Sequence, residues 1–172
     1  THVIDPVFLT SIDTWDSMIS NSKMKNKNFI AHYILDKNDF TNKVLQKIQK
    51  IFNVELVDLS DRANISVEDW LYGIKNCKIL IGDSFHATCF ALIFGKPFLT
   101  IQNKERGNSR ISSLLSIVNL ENRIIFDLND INKITEDILN TNYDLTKLKN
   151  FKNESINWLV KALEQKKENN NN

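Results

Sequence analysis

Lys78-Ile79-Leu80-Ile81-Gly82-Asp83-Ser84-Phe85-His86-Ala87-Thr88 is the stretch whose reading decides the fold. Ile79-Leu80-Ile81 is a short apolar run bounded by Gly82. It predicts a buried strand of a parallel sheet. Asp83 and Ser84 are residue types that cap helix N-termini. The helix expected from about Phe85 to Phe94 is apolar nearly all round and therefore belongs inside. Gly95-Lys96-Pro97 ends it. One histidine, His86, falls in its first turn. Free backbone N–H groups and the positive end of the helix dipole make that a place for an anion.

Outward from this unit, strands and helices alternate. Upstream, Phe29 to Leu35 reads as the first strand, and Asp36-Lys37-Asn38-Asp39 supplies turn and cap chemistry. A helix follows with Phe40, Val44, Leu45, Ile48, Ile51 and Phe52 on one face. Val54 to Asp58 is the second strand, and Ser66 with Asp69 opens the next helix as a capping box. Downstream, Phe98 to Ile101 is a fourth strand. The polar loop Gln102 to Ser109 leads to a helix with Arg110 in its first turn, and Ile124 to Asp127 is a fifth strand. Two further helices are expected, one through Ile131, Ile134, Ile138 and Leu139, the other through Ile156, Leu159, Val160 and Leu163.

Such alternation implies right-handed crossovers and a parallel sheet covered on both faces. The expected fold class is α/β, Rossmann-like, with about five strands in the order 2-1-3-4-5. Ligands then bind over the carboxyl ends of strands one and three. The turns offered there are Asp36 to Asp39 and Gly82 to His86, with Gln102 to Arg110 beside them. Residues 1–28 read as a connector with one helix, 29–167 as the Rossmann-like domain, and 168–172 as a tail without fixed structure.

With 172 residues, the chain suits one domain with a full core. It begins with Thr1 and is read as a piece of a longer protein. The formal net charge of +1 and the absence of a basic face argue against nucleic acid as a partner. No apolar run is long enough to span a membrane. Cys77 and Cys89 lack metal-ligand or CxxC partners and read as buried thiols in a reducing, cytoplasmic compartment. No dinucleotide fingerprint, P-loop or zinc spacing is present, and no metal is expected.

His86 reads equally as a core histidine and as a functional one. His32, alternating within a strand, reads as structural. Asp83 and Ser84 are caps first, with oxygens that also suit a ligand beside an anion site. Arg106 and Arg110 bracket Gly107-Asn108-Ser109 at a strand end. A guanidinium there holds phosphate or carboxylate through two parallel hydrogen bonds. The substrate-binding set read here is Asp83, Ser84, Arg106, Asn108, Ser109 and Arg110, around His86.

Several of these stretches resemble the polysaccharide pyruvyl transferase family. They are Val67-Glu68-Asp69-Trp70, Ile74-Lys75-Asn76-Cys77, Asp83-Ser84-Phe85-His86-Ala87-Thr88, Phe94-Gly95-Lys96-Pro97-Phe98 and Glu105-Arg106-Gly107-Asn108-Ser109-Arg110. The opening Asp5-Pro6-Val7-Phe8-Leu9 with Trp15 is similar to that family as well. The resemblance implies a fold like the two-domain GT-B glycosyltransferases, with this chain as the second domain and an N-terminal domain as its missing partner. Half a site, inactive alone, is then expected here. It implies transfer of pyruvate from phosphoenolpyruvate, the donor substrate, to a sugar of a cell-surface polysaccharide or its lipid-linked precursor. The product is a ketal, no cofactor is needed, and the enzyme works at the inner membrane face. The family histidine matches His86, which the resemblance makes the donor-binding general acid. Some members carry arginine two residues before it, where this chain has Ser84. Arg106, Arg110 or an arginine of the other domain is then needed for the phosphate. Competing readings are a GT-B glycosyltransferase domain binding a nucleotide-sugar and a non-catalytic part of a polysaccharide-synthesis assembly. Apolar surface along Trp15 or Trp158 is where another domain is expected to dock.

Overall fold

The computed structural model describes residues 3–25, 27–102 and 109–169. Five strands, β1 (Phe29–Tyr33), β2 (Glu55–Asp58), β3 (Leu80–Gly82), β4 (Phe98–Ile101) and β5 (Ile124–Ile125), form one all-parallel sheet in the order β2-β1-β3-β4-β5. The expected order therefore holds. The helices are α1 (Ile12–Ile19), α2 (Asp39–Phe52), α3 (Val67–Asn76), α4 (Phe85–Ile93), α5 (Ser109–Ile117), α6 (Leu128–Asn132) and α7 (Thr146–Asn169).

Side-chain alternation along the strands divides the core in two. Phe29, Ala31, Leu80, Phe98 and Ile124 face one layer with α3, α4 and α5. Ile30, Ile79, Ile81, Leu99, Ile101 and Ile125 face the other, against Val44 and Ile48 of α2 and Ile131 of α6. Helix α4 is buried along Ala87 to Leu92, as its all-round apolar sequence requires. It is joined to β4 by the buried hydroxyl pair Thr88–Thr100 at 2.9 Å. An aromatic chain crosses this layer. Trp15 meets Phe90 edge-on at 4.9 Å, Phe90 meets Trp70 at 5.3 Å, and Trp70 meets Tyr33 at 5.4 Å.

Two glycines answer to geometry. A Cβ on Gly82 would lie 2.8 Å from the Tyr33 carbonyl oxygen, so β3 reaches β1 only with glycine at its end. Gly95 takes φ +60°, the left-handed turn that stops α4.

The opening segment, read as a connector, is packed onto the domain. Ile4, Phe8 and Met24 are buried in the α4-side core. The Ile4 N–H donates to Ser155 Oγ of α7 at 3.0 Å. Asp69 of α3 accepts from Ser22 Oγ, Lys23 N and Met24 N at 2.7, 2.8 and 3.0 Å, while its other oxygen closes the capping box with Ser66. The Ser22 hydroxyl, aided by the other donors and opposed by burial, brings the Asp69 carboxyl down to about 2.

Elsewhere the expectations are refined. The helix expected through Ile131 and Leu139 is divided into α6 and a 3-10 turn over Glu136–Leu139, because Ile134 and Thr135 between them leave the helical path. Helix α7 continues to Asn169, two residues into the stretch read as a tail. Both cysteines are buried, and burial pushes the Cys77 thiol up to about 12 and the Cys89 thiol up as well. Trp158, Leu159, Val160 and Leu163 leave an apolar stretch of α7 exposed, whereas Trp15 is packed against Phe90. Among the described residues no helix is long and apolar enough to cross a membrane.

Candidate active site

The carboxyl ends of the strands carry two separate concavities. One, of about 410 Å³, lies on the α2 side and is lined by Asp36, Asn38, Thr41, Asp83, Gln102 and Asp127, with Phe40, Ile101, Phe126 and Leu128. This is the crevice at the point where strand order reverses. Its described lining holds three carboxylates and no cation, which suits neither a phosphate nor a diphosphate. The other, of about 370 Å³, lies on the α4 side. Asp5, Phe85, Ser109, Arg110 and Ser113 line it together with Val3, Ile4, Phe8, Leu114, Ile117 and Phe151. A larger open groove of about 780 Å³ runs along the far end of α2, by Lys43, Lys47 and Lys50. It sits at the amino-terminal end of the strands, away from either site.

His86 lines neither concavity and adjoins the α4-side one through its contacts with Asp5 and Phe85. Ser84 is the N-cap of α4, its hydroxyl accepting from Ala87 N at 3.5 Å, so His86 stands in the first helical turn. Its side chain is 55% exposed. A core histidine is enclosed, so the packing reading of His86 fails. Its Nε2 lies 3.5 Å from Asp5 Oδ2. The ring stands 5.5 Å from that of Phe85, edge to face. The Arg110 guanidinium sits 5.0 Å from the Phe85 ring, so Phe85 contacts both side chains.

Asp5 is held from behind. It is the N-cap of a 3-10 turn over Pro6–Phe8, with Oδ1 accepting from Val7 N at 3.1 Å and Pro6 at the first position. Its other oxygen is thereby directed at His86. Asp5-Pro6 reads in sequence as an extended dipeptide before a proline, and the role of Asp5 at the site is missed. The available signal is the N-cap residue followed by proline at N1.

Asp83 and Ser84 serve the framework. Asp83 is buried, and its two oxygens accept from Leu35 N at 2.8 Å and Asp36 N at 3.0 Å. These bonds tie the turn after β1 to the turn after β3. Ser109 and Arg110 open α5 and line the α4-side cavity, not the crevice beside which the sequence reading placed them. Arg106 and Asn108 lie outside the described residues.

His32 is a strand residue whose Nδ1 lies 3.6 Å from Asp58. Burial lowers its pKa, against the pull of the Asp58 carboxylate. Asp58, although burial opposes it, is brought down to about 2 by Lys37 Nζ at 2.6 Å and by Ser60. This cluster of four residues lies at the end of β2, and none of them lines either strand-end cavity.

No curated protein and no solved structure matches the chain. Residues 1–105 match the family model described as polysaccharide pyruvyl transferase. That span includes Asp5, Asp83, Ser84 and His86 and stops short of Ser109 and Arg110. With more than half of its length inside the match and the motif histidine standing exposed at the mouth of a buried helix, the chain belongs to the polysaccharide pyruvyl transferase family.

Proposed function

We propose that this domain binds phosphoenolpyruvate at the α4-side cavity and that His86 supplies the acid for pyruvyl transfer to a sugar diol. The observation that carries the reading is the placement of an exposed imidazole at the N-terminus of α4, beside a cavity that Ser109 and Arg110 line from the N-terminus of α5. Two helix N-termini, a guanidinium and an imidazole fit the phosphate and carboxylate of such a donor. The acidic crevice across the sheet offers no comparable seat among its described residues for a nucleotide diphosphate.

The chemistry assigns work to each group. Protonation of the enol methylene gives a methyl group and an electrophilic C2. One sugar hydroxyl adds there, phosphate leaves, and a second hydroxyl closes the ketal. Of the two hydroxyl protons, one ends on the methyl group and the other on the released phosphate. His86 delivers the first of these protons. Arg110 and the α5 N-terminus hold the anion. The acceptor is a sugar of a cell-surface polysaccharide or its lipid-linked precursor, met at the inner membrane face. The acceptor-side walls come from an N-terminal domain of the same protein, without which this domain does not turn over. Arg106 and Asn108 complete the donor site in this reading, Asp83 and Ser84 being its scaffold.

The test is calorimetric titration of the full protein with phosphoenolpyruvate, with a nucleotide-diphosphate sugar as the control ligand. Ketal formation is followed in parallel. The expectation is that phosphoenolpyruvate binds and that His86→Ala lowers turnover by about 10²- to 10⁴-fold with the fold intact. Near-wild-type turnover in that variant would refute the role of His86. Binding of the nucleotide-sugar alone would move the protein to glycosyl transfer.

A further inference from the structure

The contact between Asp5 and His86 settles more than proximity. Asp5 has two carboxylate oxygens with different tasks. Oδ1 is engaged by the Val7 N–H at 3.1 Å, which fixes the carboxylate plane. Oδ2 lies 3.5 Å from His86 Nε2. The Asp5 side chain is only 19% exposed, whereas that of His86 is 55% exposed. The carboxylate is therefore the fixed member and the imidazole the adjustable one. A distance of 3.5 Å is an ion-pair contact that a small ring rotation shortens to a hydrogen bond, and site hydrogen bonds commonly tighten when substrate arrives. The charged groups found about the imidazole are Asp5 from the 3-10 turn and Arg110 from α5, which shares the Phe85 ring with it.

A carboxylate is acceptor-only, so the nitrogen facing it must carry a proton. Which ring nitrogen of a histidine is protonated follows from the partner of the other. We infer that Asp5 is a positioning residue that holds His86 in the Nε2–H form and leaves Nδ1 as the nitrogen that works on substrate. In the proposed reaction, on which this role rests, the imidazolium gives its Nδ1 proton to the enol methylene. It is left as the neutral Nε2–H tautomer, still paired with Asp5. The carboxylate takes no proton at any point. It orients the ring.

The substitution Asp5→Asn separates this role from a structural one. Asparagine caps a helical turn about as well as aspartate, so the 3-10 turn is kept. With its amide oxygen on Val7 N, the variant presents an NH₂ group to His86 Nε2, and the ring must accept there and carry its proton on Nδ1. Asp5→Ser also keeps the cap but presents nothing to the ring.

The test is ¹⁵N spectroscopy of histidine-labelled full protein at a pH where the imidazoles are neutral. The chain carries three histidines, and His86→Gln identifies the signal of interest. The wild type is expected to show His86 protonated on Nε2, and Asp5→Asn to show it protonated on Nδ1. The same variant is expected to lose about 10²- to 10⁴-fold in kcat with little change in the KM for phosphoenolpyruvate. Asp5→Ser is expected to lose less, because it does not enforce the wrong tautomer. An Nδ1–H signal in the wild type, or an unchanged tautomer in Asp5→Asn, would overturn the proposal. So would full turnover in Asp5→Asn once the tautomer has inverted. If instead His86→Ala turns over normally, the pyruvyl-transfer role of His86 fails by itself, and the tautomer measurement still judges the pairing.

Discussion

Arg110 shows how a side chain at a helix N-terminus is presented to a cavity. Its guanidinium rests 5.0 Å from the Phe85 ring and lines the α4-side cavity. Stacking on an aromatic face leaves the N–H edges of the fork for an anion. Hydrogen bonds to a charged group contribute about 1.5–3 kcal/mol. Arg110→Ala is accordingly expected to weaken phosphoenolpyruvate binding by about 10- to 100-fold in calorimetry. Arg110→Lys should recover only part of it, because an ammonium lacks the planar fork. Equal binding by wild type and Arg110→Ala would place the anion elsewhere. At the same scale, Asp83 illustrates the opposite outcome. It is the right residue type at the right turn, yet its oxygens hold Leu35 N and Asp36 N. A cap-type residue in a sequence signals an orphan donor to be satisfied, and the donor turned out to be on another strand's turn.

Among the elements, α3 organises the most. Its N-terminal capping box was readable from Ser66 and Asp69, but the same Asp69 also gathers the backbone of residues 22–24. One carboxylate therefore starts a helix and anchors the segment that follows α1. Lys75 at the other end of α3 pairs with Asp16 of α1, a further tie between α3 and the opening segment. Removing Asp69 strands several buried donors at once, each costing about 1–3 kcal/mol. Asp69→Ala is expected to lower unfolding free energy by at least about 2 kcal/mol in urea titrations. Asp69→Asn should fall between, since its amide keeps one acceptor. A loss below about 0.5 kcal/mol for Asp69→Ala would show that residues 22–24 find other partners, as a surface substitution would. Because Ile4, Phe8 and Met24 share the α4-side core, loosening this segment should also disturb Asp5.

Over the whole molecule, hydrogen-bonded carboxylates and one buried histidine set the acid limit of the fold. Asp58 and Asp69 are both brought down to about 2 from an ordinary value of 3.8. A carboxyl with a depressed folded pKa contributes stability in full above its unfolded value and loses it as pH falls through the folded one. His32 works in the same direction at higher pH. Its pKa is lowered below 6.5 chiefly by burial, so the unfolded chain takes up the proton first as pH drops. The urea midpoint is therefore expected to be level above about pH 7, to fall gently below 6.5, and to fall steeply from about pH 4 towards 2. A midpoint that stayed flat from pH 7 to 3 would contradict the His32 contribution. A midpoint flat down to pH 2 would contradict those of Asp58 and Asp69.

The sequence by itself determined the sheet. Strand order 2-1-3-4-5 followed from apolar runs such as Ile79-Leu80-Ile81 alternating with amphipathic helices. Local periodicity and the right-handedness of crossovers leave few arrangements. The burial of α4 and the capping of α3 and α4 were equally legible, because each depends on residues within one or two turns. The strand-end crevice was located correctly, but His86 was expected within it and stands outside it. Only the tertiary structure decided that these side chains gather on the α4 side, where the 3-10 turn of residues 6–8 brings Asp5 to the imidazole and α5 brings Arg110 to Phe85. Those pairs are distant in sequence and on different elements. Nothing in local pattern encodes which face of the sheet a capping residue serves, and packing of the opening segment against α4 and α7 settles it.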